Sequence, residues 1–325
     1  MKEFVWGIRL TSDNRYGNGH ISRCLIVTKE IFNSVIFFTD PNKLIKGYKN
    51  VEESSISSIK LCHMYLLKKK INGLIVDNYH VKKNDLEKIS VNNTIVVFDD
   101  YHLNWKNPYV IRPCLKKNLE KKKIFQGPKF VPISKEYFKS REKFKKSIRN
   151  HNSIKILLNM GANDSKNNNS KILNSLIKFS EKIKKITLVL SAKAPYYKEI
   201  LSFKKYFKDL KIKFFENEKK FIDEYCKHNY FIGAAGLSSL ERISLSAYSL
   251  TFSVSSNQLI NGKEIELNNY GRFGGDINSI SNEDLEKLLI KYLLNNNNGK
   301  NILKKTVIDG SGGKRISKIL NKIIK

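Results

Sequence analysis

The chain has 325 residues, which is long for one domain and sufficient for two domains of roughly 150 residues each. Hydrophobic residues make up 41% of it, so each domain can bury a core, and no run of about 18 apolar residues marks a membrane span. The formal net charge of +30 comes mostly from lysines spread along the whole chain, with no nucleic-acid-binding motif beside them, so we expect no nucleic acid partner and a surface that attracts small anions.

The first residues and the cysteines indicate a cytoplasmic protein. Residues 4–8 are apolar, but Arg9 interrupts them and no small-residue cleavage site follows, so we interpret them as a buried strand rather than a signal peptide. The four cysteines show neither a CxxC pair nor zinc-site spacing. This pattern predicts structural thiols in a reducing compartment and no metal site. We also expect no cofactor.

Short apolar strings alternate with amphipathic stretches along the chain. The strings predict strands at 4–10, 34–39, 73–76 and 94–98, and then at 154–159, 185–190, 212–215, 230–232 and 249–253. The amphipathic stretches predict helices at 21–32, 171–183, 218–226 and 239–247, with a helical tail from residue 285. Continuous apolar strings are typical of strands buried on both faces, so we expect parallel sheets built from βαβ units.

A charged segment without an apolar run, residues 140–152, separates two such alternating blocks. It predicts a linker between a Rossmann-like N-terminal domain, residues 1–139, and a Rossmann-like C-terminal domain, residues 153–325. The economical architecture is an α/β fold in which two parallel sheets face a central cleft, and a monomer suffices for it.

The first motif with chemical potential follows the first predicted strand and precedes a helix. Gly17 and Gly19 let the backbone approach a ligand closely, and the helix N-terminus favours an anion. His20 lies at the start of that helix, where the helix field disfavours the imidazolium form. We therefore predict a neutral His20 that can accept a proton; the alternative is a histidine that only caps the helix.

Polar residues follow the next two strands. Asp77-Asn78-Tyr79 comes after the strand at 73–76, and Asp99-Asp100 comes after the strand at 94–98. In a parallel sheet these ends lie along the same edge as His20. We predict that Tyr79 holds a water or a sugar hydroxyl, whereas Asp99-Asp100 is equally consistent with an ordinary turn.

The C-terminal half carries the richer glycine motifs. Gly161 lies in a tight turn after the strand at 154–159, with donors that suit either a phosphate or the facing domain. The segment 233–242 runs from a strand through a glycine turn into a helix whose N–H groups and hydroxyls predict a diphosphate cradle. Glu241, placed in the first helical turn, suits the two hydroxyls of a ribose, although Ser-x-x-Glu alone is also an ordinary capping box. The residues predicted to bind the diphosphate and ribose of a nucleotide are Gly161, Gly233, Ala234, Gly236, Ser238, Ser239, Glu241 and, after the strand at 249–253, Gln258.

These motifs, in this order and over nearly the whole chain, resemble those of the PseG family. PseG proteins hydrolyse UDP-2,4-diacetamido-2,4,6-trideoxy-β-L-altropyranose in pseudaminic acid biosynthesis, and they are related to the MurG-like GT-B glycosyltransferases. The matching motifs are Arg9, GxGHxxRC at 17–24, DxY at 77–79, FDD at 98–100, MGxxD at 160–164, GAxGxSxxE at 233–241, Asn257-Gln258 and DGSG at 309–312. Thr11 stands where the family has an aspartate.

The resemblance implies a GT-B-like fold and a metal-independent hydrolysis that replaces UDP by water with inversion at the anomeric carbon. It implies that His20 is the general base and that Glu241 holds the uridine ribose. Tyr79 and Asn257 would position water or sugar, and we place Asp13, Gly17 and Gly19 in the same group. The substrate partner would be the UDP-sugar.

Three other functions compete with this interpretation. A glycosyltransferase on the same scaffold would pass the sugar to an alcohol, and the loop at 103–105 would contribute an apolar contact for such an acceptor. A binding protein without catalysis would not need His20. A nucleic-acid-binding protein would show steeply salt-dependent binding of DNA or RNA.

Overall fold

The structure, a computed structural model, describes residues 4–10, 19–31, 34–40, 43–53, 58–148, 153–295 and 302–324. Two of the predicted site residues, Asp13 and Gly17, lie outside these ranges. The chain divides into two compact units, which we call the first and the second unit. The first unit comprises Met1–Ile133 and Gly310–Lys325, and the second comprises Ser134–Asp309.

Each unit is built on one sheet. The strands are, in chain order, β1 Val5–Leu10, β2 Ser34–Phe38, β3 Lys49–Val51, β4 Gly73–Asp77, β5 Thr94–Phe98, β6 Tyr109–Arg112, β7 Leu119–Lys121, β8 Ile124–Gln126, β9 Ile154–Asn159, β10 Ile183–Val189, β11 Leu210–Lys213, β12 Tyr230–Ala234, β13 Ser249–Ser253 and β14 Gly271–Asp276. The first sheet has the order β3-β2-β1-β4-β5-β6-β8-β7, and only β7 and β8 pair antiparallel. The second has the order β11-β10-β9-β12-β13-β14 and is parallel throughout.

Helices connect the parallel strands. They are α1 Gly19–Thr28, α2 Lys60–Leu67, α3 Lys83–Ile89, α4 Lys135–Lys139, α5 Arg141–Ile148, α6 Asn168–Leu176, α7 Tyr197–Ser202, α8 Glu218–Tyr225, α9 Leu237–Ser244, α10 Leu259–Leu267, α11 Asn282–Asn295 and α12 Gly312–Ile323. Among the residues that the structure describes, none of these helices is long and apolar enough to cross a membrane.

The strands are buried on both faces, as their continuous apolar strings predict. In β2, Phe37 packs in one hydrophobic cluster with α1 and α12, while Ile36 and Phe38 pack in another with α2 and α3. Helices on both faces of a parallel sheet with the order 3-2-1-4-5-6 define a Rossmann-like unit. The predicted fold class, two Rossmann-like domains with parallel sheets, is confirmed.

Some strands escaped prediction because they lack an apolar run. β14 contains three glycines in six residues, and β3 and β6 are three and four residues long. These strands continue the sheets outward from strands that were predicted, so they depend on pairing with a neighbour already in place. Their sequences carry little strand signal of their own.

The boundaries of the units differ from the predicted domains in two places. The segment predicted as a linker contains α5, whose Phe144 and Ile148 lie four residues apart and are buried in the core of the second unit. The final helix α12 belongs to the first unit, where Ile316 and Leu320 complete the cluster under α1. Gly312 is needed there, because a Cβ at this position would lie 2.0 Å from the carbonyl oxygen of Val131.

Candidate functional site

Both sheets contain a point where the chain changes direction. In the first sheet, β1 lies between β2, which follows it in the chain, and β4, which comes later. In the second sheet, β9 lies in the same way between β10 and β12. The carboxyl ends of such a strand pair leave a crevice, which is where open α/β sheets bind ligands. The candidate residues of each unit lie at this crevice.

In the first unit, His20 and Asp77 meet across that crevice. His20 lies in the first turn of α1, and Asp77 is the last residue of β4, whose partner strand is β1. Nδ1 of His20 lies 2.6 Å from Oδ1 of Asp77, and the two residues are only 5% and 0% exposed. The carboxylate accepts the Nδ1 hydrogen, so Nε2 is the ring nitrogen that can accept a proton.

Arg23 joins this pair to a second carboxylate. Its Nε and one terminal nitrogen donate to the two oxygens of Asp77 at 2.6 and 2.5 Å, and its other terminal nitrogen donates to both oxygens of Asp100 at 3.0 and 2.9 Å. Burial would raise the pKa of Asp77, but Arg23 and His20 outweigh burial and hold it well below its usual range. Burial would likewise lower the pKa of Arg23, and Asp100 and Asp77 raise it instead.

Tyr79 closes the group against the ring of His20. The two ring centroids lie 4.5 Å apart in an edge-to-face arrangement, and the Tyr79 hydroxyl donates to Asp100. Burial, followed by the charge of Asp100, raises the pKa of Tyr79, so its phenol stays protonated. We call His20, Arg23, Asp77, Tyr79 and Asp100 the first-unit cluster.

The sequence predicted His20 and Tyr79 as neighbours but missed how they are held. Asp77 and Arg23 were visible in the motifs without an assigned role. A signal for Asp77 existed, because a carboxylate that ends a fully buried strand requires a cationic partner. The two residues of the Asp99-Asp100 pair have different partners. Asp100 belongs to the cluster, whereas Asp99 accepts hydrogen bonds from Arg112 Nε at 3.0 Å and from the backbone N–H of Tyr101.

In the second unit, the predicted turn after β9 is present. Gly161 has a φ of +115°, which favours glycine, and its N–H donates to the side chain of Asn159. Asp164 accepts from the backbone N–H groups of Asn168 and Asn169 at 2.9 and 2.7 Å. It thereby satisfies two backbone donors at the start of α6, so the N-terminus of this helix is bound by a carboxylate of the chain itself.

The glycine turn after β12 has two different tasks. A Cβ at Gly233 would lie 2.5 Å from the carbonyl oxygen of Asn159 and 2.9 Å from the Arg242 guanidinium, so this glycine permits close packing. Arg242 is buried and donates to the carbonyl oxygen of Ala234 at 2.9 Å, a supporting role that the sequence did not indicate. Gly236 is the N-cap of α9, and its carbonyl oxygen accepts from the Ser239 hydroxyl at 2.7 Å.

Residues after β13 contact this turn. The Gln258 side-chain oxygen accepts from the backbone of Val254 at 3.2 Å, and its amide nitrogen lies 3.1 Å from the position of a Cβ on Gly236. The Ser255 hydroxyl donates to the side-chain oxygen of Asn257 at 2.5 Å. Gly236 and Gln258 are therefore brought together, and Ser238 lies half-buried in the first turn of α9 beside them.

Glu241 differs from its predicted place. Since α9 begins at Leu237, Glu241 lies in the second turn, and the N-cap at Gly236 excludes a capping box formed by Ser238 and Glu241. Its half-buried carboxyl lies near Tyr137 of α4 and Glu218 of α8. Burial and then the charge of Glu218 raise the pKa of Glu241 to about 8, against the opposing effects of Arg242 and the Tyr137 hydroxyl.

No group of three or more His, Cys, Asp or Glu side chains that could hold a metal ion occurs in the part of the chain that the structure describes.

Comparisons with known proteins support the fold. No protein-family model matches the chain. An uncharacterized protein of Methanocaldococcus jannaschii is 24% identical over 251 residues, which are 70% of this chain and 51% of the relative. The chain therefore spans about half the length of the curated relative it matches.

Solved structures match nearly the whole chain. MurG of Acinetobacter baumannii has a TM-score of 0.68 at 12% identity, over 98% of this chain and 99% of that one. UDP-GlcNAc 2-epimerase of Neisseria meningitidis, bound to UDP-GlcNAc, has a TM-score of 0.64 at 12% identity, over 98% and 100%. The epimerase of M. jannaschii with UDP-GlcNAc and UDP has a TM-score of 0.60 at 14% identity, over 98% and 100%. The chain has the GT-B-like fold of these proteins.

Proposed function

We propose that the chain is an enzyme that acts on a UDP-sugar and hydrolyses it at the anomeric carbon. The observation that carries this proposal is the buried pair of His20 and Asp77 at the crevice of the first sheet. Two structural neighbours are bound to UDP-GlcNAc, which supports a UDP-sugar as substrate. The resemblance to the PseG family adds the particular sugar, a UDP-linked 2,4-diacetamido-2,4,6-trideoxyhexose of pseudaminic acid biosynthesis.

His20 is the general base of this reaction. Its Nε2 takes a proton from water while the water oxygen attacks the anomeric carbon, and the bond from that carbon to the phosphate oxygen breaks. The bonding electrons leave with UDP, and the free sugar has the inverted anomeric configuration. The imidazolium that forms lies 2.6 Å from Asp77, whose negative charge stabilises it.

The second unit binds the nucleotide. The first turn of α9 offers backbone N–H groups and the hydroxyl of Ser238 to a diphosphate, and Gly236 leaves room beside them. Gly161, Gly233 and Ala234 shape the neighbouring turns, Ser239 bonds to the N-cap of α9, and Gln258 lies beside Gly236. Within this proposal Glu241 accepts hydrogen bonds from the ribose hydroxyls, and Asn257 is assigned to the sugar.

A glycosyltransferase is the second candidate, and one observation favours it. Tyr101 and Leu103, which follow β5, are 39% and 41% exposed, and the Tyr101 ring contacts Tyr79 with 5.3 Å between centroids. An exposed aromatic ring in contact with Tyr79, with an exposed leucine two residues further along the chain, suits the carbon skeleton of an alcohol acceptor.

The test is UDP release from the UDP-linked diacetamido-trideoxy sugar in the absence of any acceptor. Wild-type protein should release UDP and a sugar whose anomeric configuration, followed by NMR before mutarotation, is inverted. The His20→Ala variant should lose about 10²–10⁴-fold in rate. If the wild type releases UDP only after an alcohol is added, the hydrolase proposal fails and the glycosyltransferase replaces it.

A further inference from the structure

The first-unit cluster contains more negative than positive charge. Asp77 and Asp100 are two carboxylates around the single guanidinium of Arg23, and their side chains are only 0%, 11% and 9% exposed. Arg112 is committed to the neighbouring Asp99. Among the described side chains, the cluster with a neutral His20 therefore carries one net negative charge in a place where charge is costly.

This excess charge suits the proposed role of His20. Arg23 neutralises Asp77 through two hydrogen bonds, and one of its terminal nitrogens also lies 3.5 Å from Nδ1 of His20. Without a second carboxylate, a proton on His20 would leave the buried group with a net positive charge. With Asp100 present, protonation of His20 brings the cluster to neutrality. Among the described residues, the charged groups that face His20 are Asp77 from β4 and Arg23 from its own helix, and Asp100 acts through Arg23.

Asp100 also fixes the direction of the hydrogen bond that the Tyr79 hydroxyl makes. The phenol has one hydrogen and donates it to Asp100, so its oxygen can meet a ligand only as an acceptor. The base nitrogen of His20 is an acceptor as well, and the two rings lie edge to face with 4.5 Å between centroids. Water can donate a hydrogen to each of these two acceptors, whereas an alcohol can donate to only one of them.

We infer that Asp100 is a positioning residue of the first-unit cluster, which holds Tyr79 as an acceptor and so makes the site favour water over an alcohol as the attacking group. This inference rests on the proposed hydrolysis. In an Asp100→Asn variant, the amide oxygen stays with Arg23 and the amide N–H₂ turns to the Tyr79 oxygen. The phenol hydrogen then points towards the nucleophile, and the preference for water weakens.

The experiment uses the full chain and the UDP-linked diacetamido-trideoxy sugar, with methanol as a competing nucleophile. Free sugar and methyl glycoside are quantified for wild type, Asp100→Asn and Tyr79→Phe. Asp99→Asn is the matched control, because it removes a neighbouring buried carboxylate that pairs with Arg112 instead. The melting temperature of each variant is recorded alongside.

Asp100→Asn and Tyr79→Phe should both raise the ratio of methyl glycoside to free sugar by about two- to tenfold, the value of one hydrogen bond. Asp99→Asn should keep the wild-type ratio. A ratio that stays at the wild-type value in Asp100→Asn, with hydrolysis by the wild type intact, overturns this inference alone. Methyl glycoside as the sole product of the wild type overturns the proposed hydrolysis together with it.

Discussion

The Nδ1 atom of His20 lies 2.6 Å from a carboxylate oxygen of Asp77, although 57 positions separate the two residues in the chain. The contact exists because β1 and β4 are neighbours in the sheet, with Leu10 paired to Asp77 at the end of the ladder. It fixes the tautomer of the ring and places a negative charge next to it. The behaviour of substitutions in this pair follows from that geometry.

Replacement of Asp77 by Asn should slow UDP release more than it harms binding. The amide can still accept the Nδ1 hydrogen, but the charge that stabilises the imidazolium is gone, so we expect kcat to fall by about 10²-fold or more with little change in KM. Arg23 also loses a buried partner, which should cost about 3 kcal/mol in the free energy of unfolding. Steady-state kinetics and urea unfolding measure the two effects separately.

Asp99→Asn is the control for that substitution. It breaks another buried ion pair, between Asp99 and Arg112 at 3.0 Å, and leaves the contacts of His20 in place. An equal loss of kcat in both variants would mean that Asp77 acts only through stability.

Glu241→Gln should change stability and nucleotide binding in opposite directions. The pKa of Glu241 is raised to about 8 in the folded chain, so its carboxylate costs stability as pH rises from about 4.5 to about 8. The neutral amide removes this cost, and the variant should melt at a higher temperature than the wild type above pH 8. Above pH 8, where the wild-type side chain is a carboxylate, the loss of one of its two acceptor oxygens should weaken UDP binding by about two- to tenfold.

A ligand comparison isolates the ribose contact. 2′,3′-Dideoxy-UDP lacks both hydroxyls and should bind wild type and Glu241→Gln equally in calorimetry. A variant that weakens UDP and the dideoxy analogue alike would show that Glu241 does not hold the ribose.

His228 should make the second unit sensitive to mild acid. It is fully buried; its Nδ1 lies 2.8 Å from the carbonyl oxygen of Glu224 and its Nε2 lies 2.9 Å from the Thr187 hydroxyl. Burial lowers its pKa from 6.5 to about 4. The unfolded chain therefore binds a proton before the folded chain does, and stability falls as pH decreases from 6.5 to about 4.

The loss should be on the order of 3 kcal/mol at the acid end of that range. Melting temperatures recorded across it should decline less steeply for His228→Asn than for wild type. Parallel curves for the two proteins would assign the acid sensitivity to other groups.

Gly312→Ala should destabilise the first unit. The added methyl group would lie 2.0 Å from the Val131 carbonyl oxygen, so α12 must move away from Val131. This shift should lower the free energy of unfolding by about 1–3 kcal/mol. The exposed neighbour Lys314, changed to Ala, should stay within about 0.5 kcal/mol of wild type. Urea unfolding compares the three proteins, and equal stabilities would contradict the close packing at Gly312.

The sequence predicted the parts of this fold that carry their own signal. Continuous apolar strings such as Thr94–Phe98 gave strand positions and, through their burial on both faces, the parallel sheets. The pairing of His20 with Asp77 could not be predicted in the same way, because it depends on the strand order and not on either local pattern. Gly233 was predicted as a ligand contact, yet its immediate neighbours are Asn159 and the Arg242 side chain, which only the packed structure reveals.

The position of α12 has a consequence for how the protein is made. Its apolar residues Ile316, Ile319 and Leu320 cover a surface formed by β1 and α1, but the ribosome adds them only after the entire second unit. During synthesis, the second unit can finish folding first, although it is encoded later than most of the first. Until α12 is made, the apolar face of α1 in the nascent first unit stays exposed. We expect chaperones to bind the chain during this interval.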